Sequence, residues 1–293
     1  MAIVPARAGS KGIPGKNLRT VGGRSLVRRA VDTARATPTI DAVVVSTDGD
    51  AIAEAARDAG ALVVRRPPEL AGDEASSESA LLHAIDALTA DGRTPEVVVF
   101  LQATSPFIDP ADLDDAVRRV QSGVADVVFA ATPSHAFLWR TAPDGSARAV
   151  NHDAATRPRR QDREPEYRET GAFYAFRAAA LRAHGHRFHG RVELAVTDPR
   201  TAIDVDDLHD LELADALAVE HDAAHMHEHQ HDAARMHEHQ HMHEHQHAHA
   251  HAHDAAHTHE HQREHEHEPT PTHEHQRTPA PAPEPAPAPN GAP

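Results

Sequence analysis

Ala2-Ile3-Val4-Pro5-Ala6-Arg7-Ala8-Gly9-Ser10-Lys11-Gly12-Ile13-Pro14-Gly15-Lys16-Asn17 follows the initial methionine of a 293-residue chain. Its first four residues read as a short buried strand. The rest is a loop of glycines, hydroxyl and amide donors, and three cations. Glycines let backbone N–H groups approach an anion closely, and Lys or Arg supplies charge to oppose it. The chain uses Arg almost throughout for positive charge, yet both of its lysines, Lys11 and Lys16, sit in this loop. A compact, mobile ammonium has been kept here alone. The spacing matches neither a P-loop nor a GxGxxG fingerprint.

Outward from that loop, short apolar runs alternate with helical patterns. Ala42–Ser46, Ala61–Val64, Glu96–Leu101 and Asp126–Ala131 read, like Ala2–Pro5, as strands covered on both faces. Ser25–Ala36, Asp50–Ala59, Ser77–Ala90 and Pro110–Gln121 read as helices between them. Asp109 suits a cap, Pro110 the first helical position, and Leu113, Ala116, Val117 and Val120 an apolar stripe. Gly60 and Gly92 stand where left-handed caps are wanted. The alternation predicts an α/β fold with a doubly wound, mostly parallel sheet, its functional loops at the carboxyl ends of the strands.

The rhythm breaks over residues 132–170, a stretch rich in Arg and Pro with a turn at Asp144-Gly145. So long an excursion is usually a functional loop or a partner contact. Regular structure resumes at Gly171–Phe176, a helix from Arg177 to about His184, a strand at Val192–Val196, and a last helix from Asp207 to about Val219.

Composition divides the chain into a domain over residues 1–220 and a tail over 221–293. The tail holds 21 of the 28 histidines and no Phe, Tyr or Trp, too little apolar surface to offset ordering. It repeats Met-His-Glu-His-Gln and closes in Pro and Ala, so it reads as disordered, with imidazoles suited to Zn²⁺ or Ni²⁺. The net charge of −16 argues against nucleic-acid and anionic-membrane partners. With no cysteine, thiolate sites and a Cys nucleophile are excluded. No apolar run is long enough to span a bilayer, and the first residues enter a strand directly, so the expected compartment is cytoplasmic.

Asp204 and Asp206 lie two apart in what reads as the end of a short strand, which points both carboxylates one way. Mg²⁺ held through carboxylates and substrate phosphates would suit such a pair; the plainer reading is that Asp206 or Asp207 caps the final helix, and the two can coexist.

The first loop resembles the signature of the nucleotide-diphospho-sugar transferase fold, in the acylneuraminate cytidylyltransferase family. Val45-Ser46-Thr47-Asp48-Gly49, Arg66-Pro67-Pro68-Glu69-Leu70-Ala71, Leu101-Gln102-Ala103-Thr104-Ser105-Pro106, Gly171-Ala172-Phe173-Tyr174 and Ala202-Ile203-Asp204-Val205-Asp206 agree in order. The family often has Pro at Ala103 and Asn at Thr170. The resemblance implies transfer of CMP from CTP to a nine-carbon 2-keto sugar acid, with release of pyrophosphate. It implies Arg7, Ser10, Lys16, Asn17, Arg66 and Ser77 as nucleotide contacts, and Lys16, Arg7 and Asp206 as the catalytic set. Gln102, Arg160, Arg168 and Phe188 become substrate contacts, and Asp204 with Asp206 the Mg²⁺ ligands. It further implies a homodimer built on the 132–170 excursion. The alternative is an inactive domain acting as scaffold for a metal-binding tail.

Overall fold

A computed structural model describes residues 1–72 and 74–223 of the chain. The His-rich repeats and the Zn²⁺ or Ni²⁺ binding expected of them lie outside the described residues. The chain opens with β1 (Ala2–Pro5) and a small hairpin of β2 (Thr20–Val21) and β3 (Arg24–Ser25). There follow α1 (Leu26–Ala36), β4 (Val43–Thr47), α2 (Asp50–Asp58), β5 (Leu62–Arg65), α3 (Ser77–Ala90), β6 (Val97–Leu101), α4 (Pro110–Gln121) and β7 (Val127–Ser134). A second hairpin, β8 (Trp139–Thr141) and β9 (Ala147–Ala149), precedes β10 (Glu166–Arg177), α5 (Ala178–His184) and β11 (Val192–Val196). Residues 208–223 are helical and are called α6.

Seven strands form one sheet in the order β11-β7-β10-β6-β1-β4-β5. Pairings are parallel except at β10, which runs antiparallel to both β6 and β7. The mostly parallel, doubly wound architecture is therefore borne out. Successive side chains alternate between two cores: Val4, Val45, Val99 and Leu101 pack with Val31 and Leu113, whereas Ile3, Val44, Val98 and Phe100 pack with Leu81, Ile85 and Leu181. Helices thus cover both faces, and β4 and β6 are buried along their whole length. Caps form where the sequence places them. Asp109 accepts the Ala111 N–H at 2.8 Å, and Gly60 and Gly92 adopt φ of 84° and 79°.

Three expectations shift. β5 is not covered on both faces but half-exposed or exposed, because it is the outermost strand and nothing flanks it on one side. The excursion is shorter, since β7 and β10 pair from Glu166↔Ser134 inward, with a register shift between Glu169 and Tyr174. The last helix continues past Val219 to residue 223.

That extension carries Asp222, which the composition groups with the tail, into the body of the fold. Arg29, only 4% exposed, donates from Nη2 and Nη1 to the two Asp222 oxygens at 2.6 and 3.1 Å and from Nε to the Val21 carbonyl. Arg24 adds a third contact at 2.8 Å. Burial alone raises the Asp222 carboxyl, but the hydrogen bonds and charge of Arg29 and Arg24 outweigh it and draw the pKa down to about 2.

Asp222→Asn should therefore lower stability by about 2 kcal/mol at neutral pH, the usual scale for hydrogen bonds to charged groups. A depressed carboxylate contributes in full above its unfolded value of about 4 and loses that contribution as pH falls through the folded value. Urea unfolding of both proteins should show the gap closing between about pH 4 and pH 2.

Candidate active site

In an open α/β sheet the natural cleft lies beyond the carboxyl ends of the strands, where the chain reverses its direction of winding. Here that point is between β1 and β6, since β4 and β5 build outward on one side of β1 and β6 lies on the other. A cleft of about 430 Å³ opens there. The loop after β1, the start of α3 and the turn after β6 line it.

Of the residues expected to act, Arg7, Ser10, Lys16, Asn17, Arg66 and Ser77 all line this one cleft. Gln102 and Asp206 join them. Lys16 donates to the Val205 carbonyl at 2.9 Å and pairs with Asp206 at 3.0 Å. Its side chain is 14% exposed, whereas that of Asp206 is 75% exposed. Arg66 is buried, donating to the Ser46 carbonyl at 2.6 Å and to Ser46 Oγ at 3.2 Å. Burial lowers its pKa, the Asp48 carboxylate raises it, and Arg7 lowers it again; in a guanidinium the charge persists throughout. Asn17 spends one amide hydrogen on the Arg7 carbonyl at 3.0 Å, so it shapes the loop as well as facing the cleft. Ser77 begins α3, whose Ser76 cap accepts the Ser79 N–H. The positive end of that helix adds to the field of the cations.

The acidic pair differs from its expected form. Residues 202–206 form no strand, because the Val205 N–H is bonded to the Thr104 carbonyl rather than to a ladder. The two carboxylates are consequently not equivalent. Asp206 lines the cleft, whereas Asp204 is half-buried and has one carboxylate oxygen buried with no hydrogen-bond partner. Burial pushes the Asp204 carboxyl upward, the Thr104 hydroxyl and Lys16 pull it down, and Asp206 and Asp210 raise it. The unpartnered Asp204 oxygen and the exposed Asp206 carboxylate two residues on are both hard oxygen donors, the chemistry a divalent cation takes. No three acidic or imidazole side chains among the described residues converge as a preformed metal site, so further ligands would come from phosphates and water.

Other expected substrate contacts lie outside the lining of the cleft. Arg160 and Arg168 are exposed, Arg168 reaching the Ala202 carbonyl at 3.4 Å. Phe188 packs edge-on to Phe129 and Tyr174, at 5.3 and 5.9 Å. Thr170 is buried, its hydroxyl donating to the Ala130 carbonyl and accepting the Ala172 N–H.

Sequence reading passed over two residues. Arg187 lies 4.5 Å over Tyr174 and 4.8 Å over Phe100 and pairs with Glu78 at 2.8 Å, bracing the loop of Phe188 against the start of α3. Asp48 accepts the Ala8 N–H at 2.8 Å. Neither partner is near in sequence, so only the motif containing Asp48 signalled it.

A family model described as cytidylyltransferase matches residues 1–270. The chain is 35% identical to N-acylneuraminate cytidylyltransferase A of Danio rerio over 70% of this chain and 47% of that protein. It is 33% identical to the N-acylneuraminate cytidylyltransferase of Escherichia coli over 73% and 51%. The chain thus spans about half the length of these relatives. A 3-deoxy-manno-octulosonate cytidylyltransferase of Anaeromyxobacter dehalogenans is 32% identical over 65% of this chain and 78% of its own length. Among solved structures, a CMP:2-keto-3-deoxy-manno-octonic acid synthetase complexed with CTP shares the fold, with a TM-score of 0.57 at 19% identity over 75% of this chain and 98% of that one.

The first loop and the acidic segment touch through Gly12, where an added Cβ would stand 2.2 Å from the Asp206 carbonyl oxygen. Gly12→Ala should therefore force the two apart, at the cost of about 1–3 kcal/mol typical of overpacking. Thermal denaturation should register it as a drop of several degrees in Tm, and an unchanged Tm would show that the loop yields freely.

Proposed function

This chain belongs to the cytidylyltransferase family, and from that membership we propose that it transfers CMP from CTP to the anomeric hydroxyl of a nine-carbon 2-keto sugar acid, releasing pyrophosphate. The observation that carries the reading is the single cleft that gathers Arg7, Lys16, Arg66 and the start of α3 opposite Asp206. An inactive scaffold has no need to bring these groups together. The nine-carbon acceptor is supported by the N-acylneuraminate relatives. The 3-deoxy-manno-octulosonate relative, matched over more of its length, makes an eight-carbon acid the second candidate.

The triphosphate lies along the first loop, where cations and loop amides oppose its charge. The acceptor oxygen bonds to the α-phosphorus as the bond to the bridging oxygen of the β-phosphate breaks, and its proton passes to Asp206 or to water. Charge grows on the phosphoryl oxygens and the departing pyrophosphate. Catalysis is therefore mainly positioning and electrostatic stabilisation. Lys16 is poised for it, because its ammonium is already held at the cleft by Val205 and Asp206 and can turn to phosphate without crossing solvent. Asp204 and Asp206 would hold Mg²⁺, which supplies a Lewis acid to neutralise phosphate charge. Gln102, in the cleft beside Gly171, is assigned to the acceptor side. Arg160, Arg168 and Phe188 contribute there on a homodimer in which the excursion meets the neighbouring subunit. Exposed Leu138, Trp139, Val150 and Tyr167, each 42% exposed or more, support that contact. No described helix is long and apolar enough to cross a membrane.

Pyrophosphate release from CTP with a panel of eight- and nine-carbon 2-keto acids tests the reaction and names the acceptor; no release with any would refute it. Lys16→Ala should cut kcat by about 10²–10³ with folding intact, the range for lost electrostatic donors. Asp204→Asn combined with Asp206→Asn should abolish both turnover and its dependence on Mg²⁺.

A further inference from the structure

The anion loop has no regular structure between β1 and the turn at residues 16–18, so something outside it must hold its shape. Its far end is tied down by Ile13, fully buried among Val21, Leu26, Phe107 and Val205. Near its beginning the Ala6 N–H donates to the Ser46 carbonyl of the neighbouring strand at 2.9 Å. Two residues further along each strand, Asp48 Oδ1 accepts the Ala8 N–H at 2.8 Å. A side chain thus continues the β1–β4 ladder beyond the point where the backbones diverge.

The turn bearing Asp48 is itself fastened. Arg65 donates to the Gly49 carbonyl at 3.2 Å and the Asp48 carbonyl at 3.3 Å, and pairs with Asp50 at 2.7 Å. Gly49 lets the turn press against the loop, since a Cβ there would stand 3.0 Å from the Ala8 Cβ. The neighbouring Arg66 turns the other way into the cleft. Consecutive arginines at the end of β5 therefore serve the two sides of a single arrangement, Arg65 clamping the turn and Arg66 lining the cleft.

The geometry points to Asp48 as the positioning residue of the nucleotide loop: by holding the Ala8 N–H it directs the following residues, Gly9 to Gly12, into the cleft in the conformation that receives the triphosphate. This rests on the reading of the cleft as a CTP site. Asp48 touches no reacting atom, so its contribution is preorganisation. Without it the loop must be ordered when the nucleotide binds, and that entropy is subtracted from affinity. The bond lies at the surface, where its loss has little weight in global stability. Charges stand nearby, Arg65 on the Asp48 carbonyl, Asp50 paired with it, and Arg66, which the Asp48 carboxylate reaches electrostatically, so a charge effect must be separated from a hydrogen-bond effect.

Steady-state kinetics of the full chain with Asp48→Ala and Asp48→Asn make that separation. Asp48→Ala should raise KM for CTP about tenfold, the weight of one lost positioning hydrogen bond, while KM for the sugar acid and Tm stay near those of the unaltered protein. Asp48→Asn keeps an oxygen acceptor for the Ala8 N–H and should recover KM for CTP to within about threefold of it. An Asp48→Ala protein with ordinary KM for CTP overturns the assignment, and so does an Asp48→Asn protein as impaired as Asp48→Ala, which would make charge the cause. If the alanine variant does not fold, the asparagine variant and CTP-induced protection of the loop from proteolysis decide it. Failure of the unaltered chain to turn over CTP at all would instead refute the proposed function.

Discussion

Ile13, Val21, Leu26, Phe107, Val205, Ala214 and Ala218 bury one another where the first loop meets α6. Full burial of a large apolar side chain contributes about 1.5–3 kcal/mol, and here it joins segments nearly the whole domain apart. Lys16 then bonds to Val205 and Asp206 across separations of 189 and 190 residues. Arg29 and Asp222 fasten the other end of α6 to α1 and the small hairpin. Without this third cluster the sheet would still have two packed faces. Its anion loop and acidic segment would not face each other.

The cleft is organised before any ligand enters. Cations there are held by oxygen atoms of the protein itself: Lys16 by Val205 and Asp206, Arg66 by Ser46, and Arg7 by the Gly72 carbonyl at 3.0 Å. These contacts hold each cation in place at the cleft, so the fold itself fixes where the positive charge stands. The acidic side is arranged the other way, with one buried carboxylate oxygen of Asp204 left unpartnered.

Much of this was legible in the residues themselves. Apolar runs marked β1, β4 and β6, since a strand covered on both faces needs no polar alternation, and Asp109-Pro110, Gly60 and Gly92 marked helix ends. That Arg7, Ser10, Lys16, Asn17, Arg66 and Ser77 belong together was legible from a loop composition plus a family resemblance, and all six line one cleft. The edge exposure of β5 was not, because Leu62–Arg65 has the apolar content of a central strand and only strand order shows that nothing lies beyond it. Nor was the departure of residues 202–206 from strand geometry, where a long-range bond to Thr104 replaces the ladder. Nor was the place of Thr170, where the family often has Asn and where the hydroxyl is spent inside the sheet.

By itself the sequence determined the strand–helix alternation, the gathering of both lysines in the first loop and the compositional break between residues 1–220 and 221–293. These depend on local propensity, periodicity and charge, which are properties of neighbouring residues. Tertiary structure alone decided that Asp206 meets Lys16 while Asp204 turns inward, that Asp222 belongs to the domain, and that Asp48 holds Ala8. Each of those rests on two residues far apart in the chain, brought together by burial of apolar surface that has no signature in the sequence around either one.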